Sequence, residues 1–111
     1  MTEKEKKNRT ELFKLIQEHP ELPIVPMVYS EIIADDYGYY IGAWGHAQVD
    51  EYIITDGRIL FKSDDDVFDT LERYMSDEEF EALPEAEEEC RPYYDKLPWV
   101  KAIIVNIDLP D

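Results

Sequence analysis

The clearest local pattern along the chain lies around Asp56-Gly57, flanked by "EYIIT" and "RILFK". Asp-Gly is a two-residue turn that demands positive φ, and the runs on either side are rich in β-branched and aromatic residues, so the pattern predicts a hairpin. Closing it on Thr55 and Arg58 pairs Ile54 with Ile59, Ile53 with Leu60, Tyr52 with Phe61 and Glu51 with Lys62, each pair on one face. The first strand traces back through Val49 and Ala47. Further upstream, Tyr40 to Trp44 reads as another strand, or as a continuation past a glycine bend at Gly42 and Gly45.

Helical spacing appears in four places. Thr2 with Glu5 forms a capping box ahead of Leu12, Leu15 and Ile16, and this helix stops at His19-Pro20. A second helix is expected to start at Ser63, with a stripe over Val67, Phe68, Leu71, Tyr74 and Met75 and acids in its first turn. Ser76 with Glu79 is another capping box, leading to Phe80 and Leu83 before Pro84. A last helical stretch through Ala86, Cys90, Tyr93 and Tyr94 ends before Pro98. Between these, Ile24 to Tyr29 is extended, and Pro26 confines it to an edge or a bulge. "WVKAIIVNI" is a strand with few charges, which suits a central place covered on both faces. These elements predict an α+β fold: a mixed or antiparallel sheet of about four strands, an N-terminal helix, and two or three helices before a C-terminal strand, with the helices on one face.

Length and composition narrow the class. The 111 residues suffice for one compact domain, and no linker or low-complexity tract divides them. Apolar residues at 44% argue for a folded chain despite its charge. The longest uncharged stretch, 37 to 49, is too short and too rich in glycine to span a bilayer. "MTEKEKKNRTELF" lacks a secretory h-region, and Cys90 is the only cysteine, so a cytoplasmic setting without disulfides is expected.

Charge changes the picture most. There are 27 acidic and 11 basic residues, a net of −16, and residues 63 to 95 alone carry −12. Such a field repels nucleic acid and anionic membranes and favours basic protein partners.

The candidate chemistry is sparse. Ile41-Gly42-Ala43-Trp44-Gly45 matches the I-G-x-x-G loop of KH domains, but that loop joins helices among basic residues. Here the flanks are strand-like, and no Lys or Arg lies between Lys14 and Arg58. A phosphate site there would oppose its own field. His46 has Asp35, Asp36 and Asp50 nearby in sequence, yet four residues of strand separate His46 from Asp50 by about 13 Å, too far to share an ion. One Cys and two His make no zinc pattern, and from Asp64 the EF-hand template puts Phe68, Asp69 and Met75 where ligands or glycine belong. Glu51 opposite Lys62 reads as an ion pair. None of Ser30, Ser63 or Ser76 lies in a nucleophile elbow, and the three glutamates before Cys90 disfavour a thiolate. No catalytic residue, metal or cofactor is assigned.

Surface recognition is what remains. Tyr37, Tyr39, Tyr40 and Trp44 fall within eight residues, and strand alternation cannot send them all into one core layer. Tyr40, Trp44 and Tyr52 are therefore the candidate interaction surface. Asp64, Asp65, Asp66, Asp69, Glu72, Glu85, Glu87, Glu88 and Glu89 are the candidate acidic surface.

Two segments, "ELFKLIQEHPELPIVPMV" and "LPWVKAIIVNIDLPD", with "GAWG" between them, resemble a group of small uncharacterised phage-related proteins of Gram-positive bacteria. The likeness covers about a third of the chain, contains no catalytic motif and implies a mobile-element origin. The leading expectation is a small acidic cytoplasmic protein-interaction module, with a basic protein as partner, no direct nucleic-acid binding and no membrane. A second is an acidic DNA mimic that blocks a host nucleic-acid-binding protein. A third is an unrecognised hydrolase or metal-dependent enzyme. Oligomeric state is not legible.

Overall fold

A computed structural model describes residues 1–29 and 38–110. The elements run α1 (Glu3–Glu18), β1 (Ile24–Val28), β2 (Ala43–Thr55), β3 (Arg58–Phe61), a 3₁₀ turn (Lys62–Asp64), α2 (Val67–Tyr74), α3 (Asp77–Glu81), α4 (Glu87–Asp95) and β4 (Val100–Asp108). The strands form one sheet in the order β1-β4-β2-β3, mixed because β1 and β4 are parallel while β2 and β3 are antiparallel. This is the α+β architecture read from the sequence. Two compact units are distinguished, Met1–Val49 with Lys101–Asp111, and Asp50–Val100.

In the first unit, the Thr2 hydroxyl caps α1 by accepting the Glu5 N–H at 3.1 Å. At the other end, the His19 N–H closes on the Leu15 carbonyl. The apolar stripe of this helix buries Leu12 against Ala47 of β2 and Ile103 and Val105 of β4, with Leu15, Ile16, Leu22 and Val49 packed around them. Four consecutive residues of β4, Ala102 to Val105, are buried. Since side chains alternate, both faces of that strand are shielded, as its lack of charge predicts.

β1 shows how a proline is accommodated. The Ile103 N–H donates to the Pro23 carbonyl at 2.9 Å, and the parallel register sets Ile24 opposite Ile103. Val25 and Met27 therefore turn their amides toward β4, while position 26 turns away from it. Pro26 forfeits no ladder bond and leaves the sheet edge one donor short, which discourages further strand pairing.

The glycine bend does not form. β2 runs without interruption from Ala43 through Gly45, which is buried inside the strand. A Cβ at Gly45 would lie 2.5 Å from Asp108 Oδ2 and 2.7 Å from the Asn106 carbonyl oxygen, and one at Gly42 would lie 2.6 Å from Ile107 Cγ2. Close approach of the end of β4, and not a change of direction, is what excludes side chains here. Residues 39 to 42 have no regular structure, so strand alternation does not govern Tyr39 to Ile41.

In the second unit the hairpin register is the predicted one from Tyr52↔Phe61 to Thr55↔Arg58. Asp56 and Gly57 take φ of 49° and 73°, the conformation that a two-residue turn requires. The strand stops at Phe61. Lys62 enters the 3₁₀ turn, yet its ammonium still reaches Glu51 at 3.6 Å.

Ser63 does not start the second helix. Its hydroxyl donates to Asp50 Oδ2 at 2.5 Å, Asp65 takes a left-handed conformation with φ 53°, and α2 begins at Val67. Of the three acids expected to line the first helical turn, Asp64 belongs to the 3₁₀ turn, Asp65 follows it and Asp66 is the residue before α2. The buried face is Val67, Thr70 and Leu71, while Phe68 and Tyr74 of the expected stripe are exposed.

Ser76 caps α3 as predicted, accepting the Glu79 N–H at 3.3 Å, and its hydroxyl donates to the Glu79 carboxylate at 3.0 Å. The core of this unit joins Val67 and Leu71 to Cys90 and Tyr94 of α4, with Met75, Phe80, Leu83, Leu97 and Trp99 around it. Tyr94 organises the centre. Its hydroxyl donates to the Lys62 carbonyl at 2.7 Å, its own carbonyl accepts the Trp99 indole N–H at 2.8 Å, and the two rings meet edge-on at 5.1 Å.

Candidate functional site

In the Met1–Val49 and Lys101–Asp111 unit, the first turns of α1, the segment 41–44 and the end of β4 enclose a half-open cleft of about 550 Å³. Trp44 forms part of its wall, with Ile41, Gly42 and Ala43 beside it and Leu109 and Pro110 on the strand side. Glu5 and Asn8, three residues apart, share one face of α1 and contribute polar groups. Asn8 Nδ2 donates to the Trp44 carbonyl at 3.0 Å, which ties the start of β2 to the helix.

Next to this cleft the chain displays an unusual run of exposed apolar surface. Tyr39 is 105% exposed relative to an extended reference, Ile41 83%, Tyr40 61% and Trp44 39%. Of the three aromatic candidates, Tyr40 and Trp44 thus lie together on this surface. Tyr52 belongs to the other unit, where it is half-buried opposite Phe61 in the hairpin. Tyr37 lies outside the described residues.

All nine candidate acidic residues are exposed. Arg91 brings two of them together, meeting Asp65 through both guanidinium nitrogens at 2.7 and 3.2 Å and Glu87 at 3.4 Å. The hydrogen bond from Arg91 holds the Asp65 carboxyl below its ordinary range. Asp69 pairs with Arg73 at 3.0 Å one helical turn on.

No protein-family model, characterised protein or solved structure matches this chain. Function has to be read from the chain's own geometry.

The remaining candidates stay apart. His46 is exposed on β2, 3.4 Å from Gln48 Oε1, and Asp35 and Asp36 lie outside the described residues, as does Ser30. Among the described residues, no three His, Cys, Asp or Glu side chains gather as a metal site. Cys90 is fully buried and its thiol donates to the Pro84 carbonyl at 3.1 Å, which makes it a packing residue. The sequence singled out Glu5 only as the capping-box partner of Thr2, and Asn8 and Asp108 not at all. The spacing of the first two carries a faint helical signal, while Asp108 is joined to Trp44 only by the folding of β4 beside β2.

Proposed function

We propose that the chain is a protein-interaction module that engages its partner through residues 39–44 and the adjoining cleft, without chemistry of its own. The exposed run of Tyr39, Tyr40, Ile41 and Trp44 carries this reading, because contiguous large apolar side chains at the surface lose free energy in water that a partner would recover. Aromatic anchors beside a concavity are also the usual core of such interfaces. Affinity capture from a lysate with the wild-type chain, a Tyr40→Ser/Trp44→Ser variant and a Phe68→Ser variant tests it. A partner retained by wild type and Phe68→Ser but lost from the double variant is expected. Identical captures by all three would defeat the reading.

A second reading, an acidic mimic of nucleic acid, draws on the Asp50–Val100 unit, which holds seventeen acidic and five basic residues, a net of −12. Three of those five, Lys62, Arg73 and Arg91, are already engaged in ion pairs. Under this reading the captured protein elutes with salt, competes with duplex DNA and is indifferent to changes at Tyr40 and Trp44.

A further inference from the structure

The hairpin of the Asp50–Val100 unit has an inward face and an uncovered one. Ile53 is 3% exposed, and the Thr55 hydroxyl donates to the Arg73 carbonyl of α2 at 3.1 Å, so these two residues mark the inward face. Alternation and register place Tyr52, Ile54, Ile59 and Phe61 together on the opposite face, as the cross-strand pairs Tyr52↔Phe61 and Ile54↔Ile59. Ile54 is 66% exposed and Ile59 42%, and among the described residues neither core cluster includes any of the four. The solvent face of an antiparallel pair ordinarily carries polar side chains. Two apolar pairs side by side are instead surface that a partner covers.

The charges bordering this face have one sign. Asp50, two positions before Tyr52, shares the face by alternation, and Asp56 stands at the turn. The cations of the hairpin segment lie on the inward side, Arg58 opposite Thr55 and Lys62 reaching Glu51. The unit as a whole carries a net of −12. A second copy of the chain would bring −16 against −16 and is repelled, whereas a cationic partner is drawn in. We propose that the outward hairpin face is a second docking surface, for an amphipathic helix of a basic protein whose apolar stripe covers Ile54 and Ile59 and is bordered by lysine or arginine at both ends. Such a helix satisfies its own backbone and offers an open sheet face only side chains. The span from Asp50 to Asp56 is roughly 20 Å at strand rise, which about 13 residues of helix match. Burial of the two isoleucines supplies the attraction, and the acids at either end fix the orientation. This surface is separate from residues 39–44 and does not depend on them.

Titration of the isotope-labelled full chain with a capped peptide of about 13 residues, leucine at helical spacing and lysine at both ends, tests the proposal. One control peptide replaces lysine by glutamate and another replaces leucine by serine. The methyl resonances of Ile54 and Ile59 read the site, and the Trp99 indole, bonded to Tyr94, reports that the fold is intact. The leucine–lysine peptide is expected to shift both isoleucines, the glutamate version to leave them in place, and the serine version to bind at least about tenfold more weakly. Ile54→Thr/Ile59→Thr, which keeps β-branched side chains in the strands, should weaken binding by about tenfold with Trp99 unchanged. Tyr40→Ser/Trp44→Ser should bind as wild type does. No response to the leucine–lysine peptide, shifts away from the hairpin, or indifference to the isoleucine variant would each overturn it. Equal binding of the serine version would also do so, and is what the acidic-mimic reading expects. Capture from a lysate that depends on Tyr40 and Trp44, with no peptide response at Ile54 and Ile59, removes this inference and leaves the first docking surface standing. A response at the isoleucines without any such capture does the opposite.

Discussion

Tyr94→Phe separates a hydrogen bond from a proton linkage in one substitution. Tyr94 is 1% exposed, and burial, with Asp65 and Asp64 adding to it, pushes its phenol from 10.0 up to about 12. Between those values the unfolded chain has released the phenolic proton and the folded chain still holds it, so stability falls as pH rises, by about 1.4 kcal/mol per unit. Near pH ~11.5 the accumulated loss is about 2 kcal/mol. The phenylalanine variant lacks this loss but gives up the hydroxyl bond to the Lys62 carbonyl. Because that carbonyl also accepts the Asp65 N–H at 3.1 Å, the cost at neutral pH is only about 1 kcal/mol. The variant should be the less stable protein at neutral pH and the more stable one in strong alkali, with the two curves crossing between about pH 10.5 and 11. Urea unfolding of both proteins in steps from neutral to alkaline pH measures the difference directly, and other titrating groups cancel in it. A difference that stays constant across the alkaline range would refute the linkage.

Three further outcomes follow from the packing. Gly45→Ala drives a methyl to 2.7 Å from the Asn106 carbonyl oxygen, a backbone atom that cannot turn aside, and should cost about 1–3 kcal/mol in thermal or urea unfolding; adding Asp108→Ala should recover only part. Leu71→Ala empties a fully buried position between Val67, Cys90 and Tyr94 and should cost about 2–5 kcal/mol by the same measurement. Lys62→Met breaks an ion pair whose two side chains are each about one-third exposed, so its effect should stay under about 1 kcal/mol and shrink further with added salt.

Legibility in the sequence followed the range of the interactions involved. The hairpin could be read to the residue because Asp56-Gly57 fixes the turn and the turn fixes the register. Thr2 and Ser76 were legible as helix caps because each partner lies three residues away. Ser63 misled because the same cap signal was present while a long-range alternative, Asp50 across thirteen residues, took its hydroxyl. Gly42 and Gly45 misled in the same way. A glycine needed for a bend and one needed for close approach are identical in sequence, and only the arrival of Ile107, Asn106 and Asp108 separates them.

The candidate site divides along that line too. Composition and spacing by themselves marked Tyr37, Tyr39, Tyr40 and Trp44 as one aromatic cluster and the charge of residues 63 to 95 as an acidic surface, although the strand alternation that would divide the cluster does not hold for Tyr39 to Ile41, which precede β2. Both follow from local physics, since an apolar side chain without a periodic face, or a run of carboxylates, has few places to go. Tertiary structure alone decided that Tyr52 leaves the aromatic group for the hairpin and that Glu5, Asn8 and Asp108 join Trp44 around one cleft. Those residues stand up to 103 positions apart, and what unites them is the packing of α1 and the end of β4 against the start of β2, a contact that no local pattern along the chain encodes.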